Sequence, residues 1–333
     1  MKYIPPFIIS PTVLNLLARI SEAVGRLSVE MDQAQSLRLR RINRIRTIHG
    51  SLAIEGNTLS EEQITAILDG KRVLAPPRDI TEAHNALAVY DELAQFVPHR
   101  ETDLLEAHRR LMIGLLPDAG RYRLGGVGVM QGEQVVHMAP PANRVSILMR
   151  NLLGWLADTD IHPLISSSVF HYEFEFIHPF SDGNGRMGRL WQTLILSRWQ
   201  PLFAYIPVES LVHQHQNEYY QALNQSTARS DSEPFIIFML SMILDAVENS
   251  APPHVTPHAT PHVRALLKTI KGEQGRDAIM AALGLSDRKS FSDRYLRPAL
   301  AEGLIEMTIP DKPRSPMQRY RLTAAGMKLR DEM

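Results

Sequence analysis

From residue 10 to about residue 249 the apolar side chains recur at helical spacing, and that period leaves little room for anything but helix. Val13, Leu16, Leu17, Ile20, Val24 and Leu27 fall on one face, and an Arg-rich stretch over 37–46 follows. Ser60 and Gln63 have the spacing of a capping box, opening a short helix that Gly70 stops. Further amphipathic segments cover 81–96, 101–116, 144–157, 163–176, 185–199, 214–223 and 234–247. About eight to ten helices predict a mainly α architecture, a helical bundle.

Two stretches break the period. Residues 120–141 hold VGVM, then QGEQ, then VVHM, two β-prone runs around a Gly-containing turn, which predicts a hairpin. Two strands are barely stable alone, so a hairpin in a helical protein calls for a role. Residues 251–262, APPHVTPHATPH, are Pro- and Thr-rich and almost uncharged, and are read as a linker. The tail at 263–333 carries 14 Lys+Arg against 9 Asp+Glu, a net of +5, in a chain whose formal charge is zero. Its order of three helices and then strands at 304–307 and 319–322 predicts a winged helix-turn-helix.

Neutral overall charge nominates neither nucleic acid nor a membrane as partner for the whole chain. No cysteine is present, which rules out disulfides, thiolate metal sites and a cysteine nucleophile, and fits a cytoplasmic location. The N-terminus lacks the pattern of a signal peptide, and no run of about 18 apolar residues exists to span a bilayer.

The chemistry concentrates in FHYEFEFIHPFSDGNGRMGRLW, residues 170–191. A Gly-rich loop feeding a helix presents free backbone N–H groups and the positive end of the helix dipole, a natural anion site. Arg186 and Arg189, three apart, project from one side of the first turn and suit a polyphosphate. Asp182 offers a hard oxygen for Mg²⁺, and His178 is the side chain there able to act as a base near neutral pH. Two arginines at a positive helix end are unfavourable unless an anion offsets them.

The run His178-Pro-Phe180-Ser-Asp182-Gly183-Asn184-Gly185-Arg186-Met187-Gly188-Arg189 resembles the complete signature of the Fic family, HxFx(D/E)GNGRxxR. The resemblance implies transfer of AMP from ATP, with Mg²⁺, to a Ser, Thr or Tyr hydroxyl of a protein, the chain itself included. It implies His178 as the base, Asp182 as the Mg²⁺ ligand, Gly183, Asn184 and Gly185 as the anion hole, and Arg186 to Arg189 along the phosphates. Ser51 to Asn57, SLAIEGN, is similar to the family's inhibitory motif, (S/T)xxxE(G/N), with Ser51, Glu55 and Gly56 at its fixed positions and Asn57 directly after. Glu55 is then expected to pair with Arg189 and displace the outermost phosphate. The hairpin matches the family's flap, with Val129 and Met130 nearest the nucleotide, and Tyr219 stands where related proteins carry a tyrosine near adenosine. His171 is read as a core or supporting histidine. The implied layout is an N-terminal helical region over 1–100 with the inhibitory helix at about 45–56, a Fic core over 101–250, the linker and the winged helix. A homodimer is compatible with it. Two alternatives remain open: a nucleotide-sensing regulator that binds DNA through Arg288, Lys289, Arg294 and Arg297 of the tail, and a changed donor or the reverse reaction, AMP removal.

Overall fold

The computed structural model describes residues 3–30, 33–131, 134–250, 260–301, 303–309, 315 and 317–331. The chain divides into two compact units, Met1–Ala251 and Pro252–Met333. Most of the expected linker, residues 251–259, lies outside the described residues.

The first unit runs α1 (Pro11–Glu30), α2 (Gln33–Ile54), α3 (Glu61–Leu68), α4 (Pro77–Asp91), α5 (Glu101–Met112), β1 (Gly128–Gln131), β2 (Gln134–Met138), α6 (Ala142–Asp158), α7 (Pro163–Ile177), α8 (Asn184–Trp199), α9 (Val208–Gln214), α10 (Gln216–Arg229) and α11 (Glu233–Ser250). The capping box forms as expected: Ser60 Oγ accepts from the Gln63 amide and Gln63 Oε1 accepts from the Ser60 amide. The hairpin forms too, antiparallel, with a register shift between Val129 and Met130. The helix expected at 214–223 forms as the start of α10, and a short helix without a sequence expectation, α9, precedes it. His215, at φ −110° and ψ 36°, turns the chain between them.

α7 is the centre of the unit. Every residue from Leu164 to Phe174 is buried, as in a helix surrounded on all sides by neighbours. It packs on α6, α8 and α11. α2 lies against α9, and glycine is what allows it: a Cβ on Gly50 would stand 2.7 Å from the Glu209 backbone. That close approach seats Ser51 and the end of α2 over α8.

The second unit orders α12 (Pro261–Thr269), β3 (Gln274–Gly275), α13 (Arg276–Ala282), α14 (Arg288–Phe291), a wide π turn (Ser292–Leu296), α15 (Arg297–Ala301), β4 (Ile305–Met307), β5 (Arg319–Leu322) and α16 (Ala324–Asp331). The three strands pair antiparallel in the order β3-β5-β4. Val263, Leu266, Ile279, Phe291, Leu304 and Tyr320 form its own core. The two-residue strand β3 and the closing α16 had no sequence signal of their own. Among the described residues no helix is long and apolar enough to cross a membrane.

Candidate active site

The site lies where α7 ends and α8 begins. His178 is the C-cap of α7 in the left-handed region, φ 50° and ψ 62°, a conformation that costs a non-glycine residue about 1 kcal/mol and persists only where the surroundings impose it. Arg123 imposes it. Buried at 2% exposure, Arg123 donates from Nε to the His178 carbonyl at 2.7 Å and from Nη2 to Ile177 O at 3.3 Å. Its own amide reaches Pro179 O at 3.0 Å.

The loop is stapled from both sides. Asn184 Oδ1 accepts from the Phe180 amide and its Nδ2 donates to the Phe180 carbonyl, each at 2.9 Å. The Phe180 ring is fully buried and stacks on His108 with centroids 3.6 Å apart. The Gly120 amide donates to His108 Nδ1 at 2.8 Å, so the proton sits on Nε2, which donates to Asp182 O at 3.0 Å. Gly183 has φ 82°, and a Cβ there would stand 2.7 Å from Met112 Sδ.

Burial holds His108 neutral and lowers it to about 4. The unfolded chain therefore binds a proton that the folded one refuses below about pH 6.5. This stabilisation is present above 6.5 and is lost as pH falls towards 4, by about 3 kcal/mol. Urea unfolding at pH 7 and pH 4.5 is expected to show a smaller loss for His108→Gln than for the parent. Equal losses would refute the assignment.

The first turn of α8 has no acidic residue and no side-chain cap. Glu55 supplies the anion instead. Its carboxylate accepts from Arg189 Nη2 at 2.7 Å, while Arg189 also donates from Nε to Ser51 Oγ at 3.1 Å and from Nη2 to Ser51 O at 2.9 Å. A Cβ on Gly185 would collide with Glu55 Oε1, so the carboxylate sits directly over the start of α8. Burial, the largest single influence, lowers the Arg189 guanidinium, but Glu55, Tyr219 and Glu175 together outweigh it, so the net direction is upward. α2 stops at Ile54, and Glu55 enters the turn that Gly56 closes at φ 87°.

Arg186 turns to the other side. It is 4% exposed and donates to Glu82 Oε1 at 3.1 Å and to Asp182 Oδ1 at 3.0 Å. Glu82 also accepts from Asn57 Nδ2 at 2.9 Å, and Arg78 holds Asp182 Oδ2 at 3.2 Å. Met187 is fully buried in the core. Gly188 faces His171 and Glu175. Tyr219, 2% exposed, lies beneath the site with its hydroxyl on His171 Nε2 at 3.1 Å. The backbones of Val129 and Met130 lie in β1, and their side chains are outside the described residues. Asp182 is 39% exposed, and among the described residues no group of three or more metal-ligating side chains gathers anywhere. The half-exposed Asp182 carboxylate is a single hard oxygen ligand, the kind one carboxylate contributes to a hydrated divalent cation.

His108, Arg123 and Glu82 are the supporting residues that sequence reasoning missed. Each lies 55 or more positions from its partner or on a different helix, and no local pattern marks them.

The sequence profile of the Fic/DOC family matches residues 98–196, and that of the "Filamentation induced by cAMP protein Fic-like, C-terminal domain" matches 261–323. A crystal structure of a Fic family protein from Desulfovibrio desulfuricans G20 is 53% identical, covering 97% of this chain and 99% of that one at a TM-score of 0.73. The protein adenylyltransferase Fic of Nematostella vectensis is 34% identical over 205 residues, 58% of this chain and 45% of its own length. Protein adenylyltransferase fic-1 of Caenorhabditis elegans is 32% identical over 248 residues, 69% of this chain and 46% of its own length. The chain thus spans less than half of these two named relatives.

Proposed function

The chain belongs to the Fic family, and from that premise we propose that it is a protein adenylyltransferase held off by its own Glu55. The observation that carries this reading is the Glu55 carboxylate on Arg189 at 2.7 Å, over the uncapped start of α8. That position is where a phosphate group is best stabilised, by backbone N–H groups, the helix dipole and a guanidinium together. The named relatives are protein adenylyltransferases, and a triphosphate donor suits a glycine loop at a helix start with Arg189 beside it.

In this reading ATP lays its phosphates along Gly183, Gly185 and Arg189 after Glu55 withdraws. A divalent cation held by those phosphates and Asp182 would neutralise charge on the departing pyrophosphate. A protein hydroxyl attacks the α-phosphorus in line, its proton passes to His178, and the bond to the β-phosphate oxygen breaks. Charge that develops on the α-phosphate oxygens meets the loop amides. The flap β1–β2 offers a strand edge to the target segment.

The described elements of the second unit, three helical segments followed by β4 and β5, support reading it as a winged helix-turn-helix. Two basic residues of the DNA-contact set are already engaged within the unit, Arg288 with Asp277 at 3.1 Å and Arg297 with Asp293 at 3.2 Å.

Mass spectrometry of the Glu55→Gly protein incubated with ATP, Mg²⁺ and a lysate tests the whole reading. A peptide bearing AMP on a hydroxyl is the expected product. Absence of any such adduct on the protein itself or on any other would end it.

A further inference from the structure

α7 carries His171 and Glu175 at i and i+4, one face of the helix, and its left-handed C-cap, His178, follows three residues on. Glu175 lies between the histidines, only 11% exposed, with Oε1 3.9 Å from His171 Nε2 and Oε2 3.8 Å from His178 Nδ1. Oε1 has no hydrogen-bond partner among the described residues. A buried carboxyl oxygen without a hydrogen-bond partner costs about 1–3 kcal/mol, so a residue doing no more than packing would be better aliphatic.

The protons of His171 decide which way Glu175 faces. Gln192 Oε1 lies 2.6 Å from His171 Nδ1, and a carbonyl oxygen only accepts, so Nδ1 carries the proton. Nε2 is then a lone pair and takes the Tyr219 hydroxyl at 3.1 Å. Burial lowers His171 to about 3 and keeps it in this neutral form. His171 therefore has no N–H to offer Glu175. α8 makes room for the carboxyl with a glycine: a Cβ on Gly188 would stand 2.9 Å from Glu175 Oε1 and 2.8 Å from His171 Cδ2. The other charged and titratable groups facing Glu175 are Arg189 of α8, Glu55 at the end of α2 and Tyr219 of α10. Burial pushes Glu175 itself up to about 8.

We propose that Glu175 is the positioning residue of the base: its Oε2 accepts the Nδ1–H of His178, fixing the tautomer in which Nε2 is free to take the proton of the target hydroxyl. The 3.8 Å separation closes to hydrogen-bond reach by side-chain rotation in the free protein, and such bonds tighten further in the reacting complex. When Nε2 receives the proton, the same bond becomes charge-assisted and stabilises the imidazolium. The inference rests on the reading of His178 as the base of AMP transfer.

The test uses the full chain carrying Glu55→Gly as parent, with E175Q and E175M added. Gln keeps an acceptor oxygen; Met fills the space without one. E175M is expected to lower kcat about 10–100-fold, with KM for ATP within about twofold of the parent. E175Q is expected to stay within about threefold. Nitrogen NMR of the His178 ring should find the proton on Nδ1 in the parent and a shift towards Nε2 in E175M. An unchanged kcat in E175M, or a parent already protonated at Nε2, would overturn the proposal. If the parent transfers no AMP, the functional reading fails, and the ring tautomer still decides the role of Glu175. If E175M does not fold, the parent's tautomer decides it alone.

Discussion

Replacing Glu55 with glycine is expected to raise AMP transfer about 30–100-fold and to tighten ATP binding by a similar factor. The estimate follows from the one contact that must break. A charge-assisted hydrogen bond is worth about 2–3 kcal/mol, and each 1.4 kcal/mol is tenfold. Arg189 keeps its two bonds to Ser51 Oγ and O when the carboxylate is removed, so the guanidinium stays aimed at the start of α8. The vacated position then accepts a phosphate in place of the carboxylate. Transfer from α-labelled ATP gives the rate and calorimetry gives the affinity. If neither changes, the carboxylate does not compete with a phosphate, and Glu55 is only the end of a helix.

The second large effect is expected at His178. In the Glu55→Gly protein, His178→Ala should lower kcat by about 10²–10⁴, the range of one general base. ATP affinity should stay within about twofold, because Arg189 and the loop amides are untouched. The backbone at His178 is left-handed, where alanine is strained, so His178→Asn serves as the second variant. Asparagine tolerates that conformation and has no basic nitrogen. Parallel losses in both variants with an unchanged melting curve assign the effect to the lost base. Full activity in either one removes His178 from the chemistry.

These two residues show what can be read locally and what cannot. His178, Asp182, Gly183, Asn184, Arg186 and Arg189 stand within one turn and the helix after it, so neighbouring residue types already describe an anion loop with a base beside it. Arg186 and Arg189 share a helix face but part company in the fold. Arg189 reaches Glu55, whereas Arg186 is 4% exposed and held by Glu82 and Asp182. Spacing predicts that two side chains leave a helix together. It does not say which carboxylates wait for them. Tyr219 is the same kind of case: its place in the sequence marked it for the nucleotide, and packing put its hydroxyl on His171.

The residues in order determined what is short-ranged. Helical periodicity, the Ser60 capping box, the Gly-rich turn and the hairpin each depend on contacts within a few positions, and each is present where expected. Only the folded chain decided the rest, because burial and charge pairing are properties of the whole packing. Ser51 and Glu55 reach Arg189 across 138 and 134 positions of sequence, an approach that Gly50 permits where α2 crosses α9. The neutrality of His108 and His171 comes from the helices packed around them, and so does the burial of the Glu175 carboxyl.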